Sequence, residues 1–397
     1  MDDETRKVLS EALTRTGLFN GETLAENASF ECIGRGTNGK VYKVLSREGK
    51  PLVVKTQLGK PAGKRSVGEH LFFEKLSKKF PESSAVQDIK YVSGDSGVIV
   101  SEYYGGGDLG KLLKNKPKKA RELCEDPDNL IAMFEVFKTI HDNNFAHLDI
   151  KPENIFVIEN EDGLCRPVIA DFGEMVEGLR GIQETGTLGY MPPEQHDKEK
   201  GERKMVDLSK ADVFAIGLTL LESVTGKRLR GIFGIDDGLP FLTLKALKFL
   251  MSSIYEYKRE DKEQMIQNEL DKVPSLPPEM KKIIIGATKM DPKERYTIGR
   301  LLEKARKMKE NVERRKIREQ REGKLVRKRR EDAKESVGEA IDKDILAREL
   351  ADSSNAINAF MGKTATGEAT MTIVRQDTEV EQSTTDSKRK KSGFSLQ

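Results

Sequence analysis

The sequence predicts an α+β chain in which short strands come first, helices come next, and a long charged helix comes last. Three observations carry that prediction. Apolar strand-like runs and glycine-rich turns gather before residue 104. From residue 109 the apolar residues recur at helical spacing, and from residue 306 they thin out while charge rises. A chain of 397 residues has room for one large or two small domains with a sizeable core. Charged residues make up 34% and hydrophobic residues only 36%, so part of the chain is expected as solvated helix or disorder. Cys32, Cys124 and Cys165 are far apart and in no metal-ligand spacing, and read as reduced thiols of a cytoplasmic or nuclear protein. The start, Met1-Asp2-Asp3-Glu4, is acidic with no apolar run behind it, so no signal peptide is expected. The longest apolar stretch, Val213–Leu221, is far short of the ~20 residues that cross a bilayer.

Residues 1–28 form a lead-in with a helix expected over Glu4–Thr14. Residues 29–57 carry two strand-like runs about Gly34-Arg35-Gly36-Thr37-Asn38-Gly39. A lone GxGxxG is weak evidence, and the residues after it discriminate. A dinucleotide-binding fold needs a helix there, whereas Lys40–Val44 alternates polar and apolar like a strand. The spacing from Gly34 to Lys40 also approaches a P-loop, but Val41 stands where Ser or Thr would hold Mg²⁺. Two readings remain: a strand–turn–strand loop covering phosphates with backbone N–H groups, or an ordinary glycine-rich hairpin. Val53-Val54-Lys55 ends the next strand, where a Lys is ordinarily a solvated terminus. Glu69 precedes Phe72, Phe73 and Leu76 at +3, +4 and +7, which puts it on the buried side of a helix; Glu74 reads as a solvated charge. Residues 86–104 read as two strands about a Gly94–Gly97 turn.

Residues 109–145 are mostly helical, and Leu130–Phe145 carries a buried apolar stripe. Lys114–Arg121 reads as a solvated basic connector. Further helices are expected over Ala211–Thr225, Leu242–Tyr255 and Pro278–Thr288. From Arg306 to Lys334 there are 14 Lys/Arg against 6 Asp/Glu, a net of +8, within a chain whose total is +3. Residues 309–351 are read as a basic charged helix carrying i,i+4 ion pairs, with a loose coiled coil as the weaker option, and residues 352–397 as disordered.

The densest chemistry lies between residues 147 and 173. Ile155–Ile158 and Val168–Ala170 read as two strands joined by the polar turn Glu159–Arg166. Such a hairpin brings Asn154 and Asp171 together at its open end, an oxygen-ligand pair suited to Mg²⁺. Asp149, five residues before Asn154, is placed to accept a proton from a nucleophile, with Lys151 beside it to balance phosphoryl charge. The stretch His147-Leu148-Asp149-Ile150-Lys151-Pro152-Glu153-Asn154, with Asp171-Phe172-Gly173 after it, resembles the catalytic loop and metal-binding segment of eukaryotic-type protein kinases in their serine/threonine form.

The resemblance implies a two-lobed protein-kinase-like fold: a small antiparallel β N-lobe with one helix (29–101), a hinge (102–107) and a larger, mainly helical C-lobe (108–308). It implies ATP and Mg²⁺ as cofactors, with Asp149 as base or positioner, Lys151 as a phosphate contact, and Asn154 and Asp171 as metal ligands. Lys55 would hold the α- and β-phosphates and pair with Glu69. Gly34, Gly36 and Gly39 would cover the phosphates, and Ile33, Val41, Val53 and Phe156 belong to the implied nucleotide pocket. Glu102 and Tyr104 would offer hinge backbone groups to adenine, and Ser101, being small, implies a deep pocket behind it. Asp108 would reach the ribose, or equally serve as a helix N-cap. Thr185 and Thr187 fall in the activation segment, and Thr187 matches a Thr that bonds the catalytic Asp and Lys. Glu194 is implied to pair with Arg295, and Asp212 to bond the catalytic-loop backbone. Leu148 departs from the family, which has an Arg there to bind a phosphorylated activation loop; activity independent of that phosphorylation is expected.

The reaction implied is phosphoryl transfer from ATP to Ser/Thr hydroxyls of a protein substrate. The alternatives are a pseudokinase or ATP-binding scaffold, a small-molecule kinase, and a kinase whose basic tail (Lys324–Arg330, Lys388–Lys391) targets an acidic partner, nucleic acid or anionic membrane.

Overall fold

The computed structural model of the chain describes residues 3–17, 30–36, 39–46, 48–56, 64–81, 85–92, 97–182, 185–195, 198–199, 202–232, 259–273 and 275–364. The expected helix over Leu242–Tyr255, the tip of the glycine loop at 37–38, most of the Gly94–Gly97 turn and the run Lys388–Lys391 lie outside these residues. The chain divides into two compact units, Met1–Lys316 and Ile317–Gln397.

Five antiparallel strands open the first unit: β1 (Glu31–Gly36), β2 (Gly39–Leu45), β3 (Pro51–Thr56), β4 (Ile89–Val92) and β5 (Val98–Glu102). They form one sheet in the order β1-β2-β3-β5-β4. Helix α1 (Asp3–Arg15) lies on one face, burying Leu9, Ala12 and Leu13 against Tyr42, Val44, Leu52, Val54, Val98 and Val100. The i, i+3, i+4 spacing of those three residues makes one apolar stripe, so this part of the lead-in belongs to the folded unit. Alternation along β5 turns Ile99 to the opposite face, where it joins the main core with Phe72 and Leu76. Those two residues come from the π-helical continuation, Phe72–Leu76, of helix α2 (Lys64–Leu71).

The next part is mainly helical. Helix α3 (Leu109–Asn115) leads into α4 (Pro117–Glu125) and α5 (Pro127–Asp142). Asp126 caps α5, accepting from Asp128 N and Asn129 N, with Pro127 at the first helical position, where its missing N–H costs nothing. The hairpin β6 (Ile155–Glu159) and β7 (Cys165–Ile169) pairs Ile155 with Ile169, so Asn154 and Asp171 both sit at its open end. Helix α6 (Leu208–Thr225) begins at the Asp207 cap and ends at Gly226, which takes the left-handed φ of +67°. It is apolar nearly all round and buried along nearly its whole length, packing against α8 (Pro278–Ala287) and, with α7 (Arg259–Asp271), completing the core.

An ion pair is buried in this core. The Arg295 side chain has no exposed surface and meets Glu194 through two contacts, Nη1–Oε1 at 2.6 Å and Nη2–Oε2 at 3.0 Å. It also donates to the carbonyls of Lys289 and Lys210, each at 2.9 Å, and lies over the Phe214 ring at 4.8 Å. The charge is therefore neutralised and its donors are occupied.

Helix α9 runs from Ile298 to Thr364. Its first turns bury Leu301, Leu302, Ala305 and Met308, and Arg306 and Lys309 reach Glu135 and Asp128 at 3.0 and 2.6 Å. From Ile317 its described side chains are exposed. The helix continues 13 residues past the start of the disorder expected from residue 352. Propagation adds one hydrogen bond per residue fixed, and no Gly or Pro interrupts residues 339–361. No helix among the described residues is long and apolar enough to cross a membrane. Because removing one partner strands the other charge in the core, Arg295→Ala is expected to cost about 3–5 kcal/mol of stability, measured by chemical denaturation of the full chain.

Candidate active site

The site begins with a buried carboxylate. Asp212, 1% exposed at the start of α6, accepts from the backbone N–H of His147 (2.9 Å) and Leu148 (2.8 Å), and lies 2.9 Å from His141 Nε2. Leu148 adopts φ +65°, which a branched residue rarely takes, and the two hydrogen bonds hold the loop in that shape. The next residue, Asp149, is thereby presented. Its Oδ1 accepts from Thr187 Oγ1 (2.6 Å), and its Oδ2 accepts from Lys151 Nζ (2.8 Å) and Asn154 Nδ2 (2.9 Å). Lys151 Nζ also donates to Thr187 Oγ1 (2.7 Å), closing a ring of three side chains. The Asn154 amide nitrogen is committed to Asp149, which leaves its oxygen for a cation.

A second cluster forms around Lys55. Its ammonium contacts Glu69 Oε1 at 2.8 Å and Asp171 Oδ1 at 2.9 Å. Burial works against the Lys55 charge, but the two carboxylates outweigh it and raise the pKa. Burial likewise opposes ionisation of Asp171, and Lys55 more than offsets it, so the carboxyl stays below its usual range. Asp171 itself takes φ +62°. Glu74 is exposed and lies 3.1 Å from His70 Nε2, away from Lys55. Helix α2 reaches the Asp171 segment by close packing. Phe72 stacks on Phe172 with ring centroids 3.7 Å apart and 3° between planes. Gly68 abuts the turn so closely that a Cβ would collide with the Phe172 carbonyl and lie 2.8 Å from that of Gly173.

A cavity of about 420 Å³ lies against the Lys55 cluster and Asn154. Ile33, Gly34, Val41 and Val53 line it from the sheet, and Phe156 from β6. Ser101, Glu102 and Tyr104 line its inner edge, and Lys55, Glu69, Asn154 and Asp171 its polar end. The Tyr104 ring stacks on Phe156 at 5.8 Å, and its hydroxyl accepts from Asp88 N–H at 2.9 Å, which pins this edge to the residue just before β4. Gly36 pairs with Gly39 across the loop, and neither lines the cavity.

Asp108 does not line the cavity, and both its oxygens are taken: Oδ1 accepts from Lys111 N (2.8 Å) and Oδ2 meets Lys111 Nζ (3.0 Å). Of the two roles expected of it, the N-cap of α3 is the one whose contact is made here. Thr185 Oγ1 is buried with no partner among the described residues, and it stands outside the Asp149 ring. Sequence reading did not name six of the cavity residues: Gln87, Ile99, Tyr103, Gly107, Lys111 and Glu153. Gln87 Nε2 donates to Ser101 Oγ at 2.9 Å, so an amide, and not open apolar space, lies against the small residue. Nothing in the spacing around residue 87 marks it, because it precedes a strand instead of lying on a periodic face.

A protein kinase domain family model matches residues 28–305. The chain is 30% identical over 215 residues to human mitogen-activated protein kinase kinase kinase 5, covering 51% of this chain and 15% of that protein. It is 28% identical over 206 residues to the MAP kinase kinase MKK1/SSP32 of Saccharomyces cerevisiae, covering 49% and 38%. It is 29% identical over 208 residues to a probable inactive receptor kinase of Arabidopsis thaliana, covering 50% and 31%. The chain thus spans 15–38% of the length of these curated relatives. Gly68→Ala is expected to push α2 away from Phe172 and open the Lys55–Glu69 pair. Faster backbone hydrogen exchange in residues 68–76, with nucleotide affinity reduced about tenfold, is the measurable outcome (~1.4 kcal/mol).

Proposed function

Because the chain belongs to the protein kinase domain family, we propose that it transfers the γ-phosphoryl group of ATP to serine or threonine hydroxyls of protein substrates. One observation carries this reading: Lys55, held by Glu69 and Asp171, lines one cavity with Asn154, whose amide donates to an Asp149 also held by Thr187 and Lys151. Adenine is assigned to the slot between Val41, Val53 and Phe156, with its polar edge on the backbone of Glu102 and Tyr104. Lys55 then meets the α- and β-phosphates, and the turn from Gly34 to Gly39 covers them.

The Asp171 carboxylate and the Asn154 amide oxygen are hard oxygen donors, few in number, which suits Mg²⁺ completed by water and phosphate. When bound there, Mg²⁺ supplies positive charge beside the phosphates. Asp149 receives the acceptor hydroxyl and aligns it for in-line attack. Lys151, already within 2.8 Å of Asp149, balances charge on the transferred group. Positioning and fixed electrostatics therefore do most of the chemistry.

The Thr187 bridge supports a Ser/Thr acceptor, because it holds Asp149 and Lys151 in one fixed relation. Leu148 packs with Ala146, Val206, Leu208 and Ala211, against which Val176 and Leu179 lie half-buried. Arg180–Gly181 also pairs with Val206–Asp207. Apolar packing and a short ladder thus anchor the activation segment where an Arg–phosphate pair would otherwise serve. The pseudokinase alternative is disfavoured by the presence of Lys55, Asp149, Asn154 and Asp171 together in the chain.

Asp149→Ala and Asp171→Ala are each expected to lower labelled phosphoryl transfer to a protein substrate by about 10²–10⁴-fold. Full activity in both variants would sink the assignment, and transfer to free sugars or aminoglycosides in place of protein would favour a small-molecule kinase. Protein stripped by a phosphatase is expected to retain its initial rate, read before any autophosphorylation accumulates.

A further inference from the structure

We propose that Gln87 is a positioning residue for the Asp171 carboxylate, coupling the metal-binding turn to Ser101 across the rear of the nucleotide cavity. This inference rests on the phosphoryl-transfer reading. The side chain spans two elements that share no backbone ladder with each other. Its Nε2 donates to Ser101 Oγ at 2.9 Å, at the end of β5. Its Oε1 accepts from the backbone N–H of Asp171 at 3.3 Å. Ser101 is 2% exposed, and Gln87 itself lines the cavity beside Lys55, Glu69 and Asp171. An amide is suited to both contacts because it offers a donor and an acceptor on one rigid plane.

The main chain sets the side chain's reach. Gln87 N donates to Ile169 O and Ile169 N donates to Ala85 O, each at 2.8 Å, while Val86 bridges Ile169 in parallel. Residues 85–87 are therefore annealed to the end of β7, two residues before Asp171. The Gln87 amide adds a third tie, directly at the residue whose φ of +62° places its carboxylate on Lys55. A left-handed non-glycine residue persists where its surroundings over-determine it. Phe172 is gripped by Phe72 on one side of this turn; Gln87 supplies the grip on the other. Groups that orient a metal ligand through a hydrogen bond shift metal affinity when removed, even though they never touch the ion.

The test measures binding of a fluorescent ATP analogue to the full chain as a function of Mg²⁺, together with its affinity without metal. Gln87→Leu is expected to raise the half-saturating Mg²⁺ about tenfold, well beyond any fold-change it causes in metal-free affinity. Ser101→Ala, which cuts only the distal contact, is expected to raise it about threefold. The double variant is expected to match Gln87→Leu alone, since both act through one amide. An unchanged Mg²⁺ requirement in Gln87→Leu, an equal loss of metal-free affinity, or strict additivity would each overturn the proposal. If Gln87→Leu loses its cooperative thermal transition, Ser101→Ala decides by the presence or absence of its threefold shift. Wild-type protein with no Mg²⁺-dependent nucleotide binding would overturn the phosphoryl-transfer reading, and this inference with it.

Discussion

One ammonium group ties the cleft together. Lys55 Nζ lies between Glu69 and Asp171, which the chain places 14 and 116 residues away. Unit charges at such separations interact by a few kcal/mol in a partly screened environment, and each carboxylate would be costly to bury alone. The positions of α2, the Asp171 turn and the sheet are therefore interdependent. The Phe72–Phe172 stack and the missing side chain at Gly68 let the backbones come close enough for that pairing. Dispersion and electrostatics favour the same arrangement.

A second pattern is the use of α6 as an apolar scaffold with polar anchors. The helix is buried nearly all round, yet it carries Asp212, Glu222 and the carbonyl of Lys210 to defined partners. Asp212 shapes the loop that presents Asp149. Glu222 accepts from Tyr190 Oη at 2.6 Å and from Leu229 N at 2.7 Å, so the activation segment is tied to the same helix. Burial pushes the Glu222 carboxyl above its usual pKa, with the Tyr190 hydrogen bond opposing the shift. Close packing makes the anchors stiff, and stiffness is what a site acting by positioning requires.

Much of the architecture was readable from short-range pattern. The alternation of Lys40–Val44 excluded a helix after the glycine turn, and that segment is β2. The Ile155 and Val168 runs are a hairpin, and the apolar stretch after Ala211 is a buried helix. Where expectation and structure differ, a local rule met a competitor. Asp108 had two chemistries open to it, and the cap of the adjacent helix is the one whose contact is made. Residues 352–364 are helical because propagation from an existing helix is cheap, although their composition suits disorder.

The order of residues along the chain was enough to name the chemical groups of the site and the period of most elements, because periodicity and turn chemistry act over a few residues. Helical spacing favoured Glu69 over Glu74 and the resemblance implied the Thr187 bond to Asp149; folding in three dimensions made both contacts and decided one the sequence did not suggest, that Gln87 links Ser101 to Asp171. Those contacts join residues 14 to 84 positions apart. They depend on helix rotation, strand register and side-chain reach acting together, and no run of neighbouring residues records that combination.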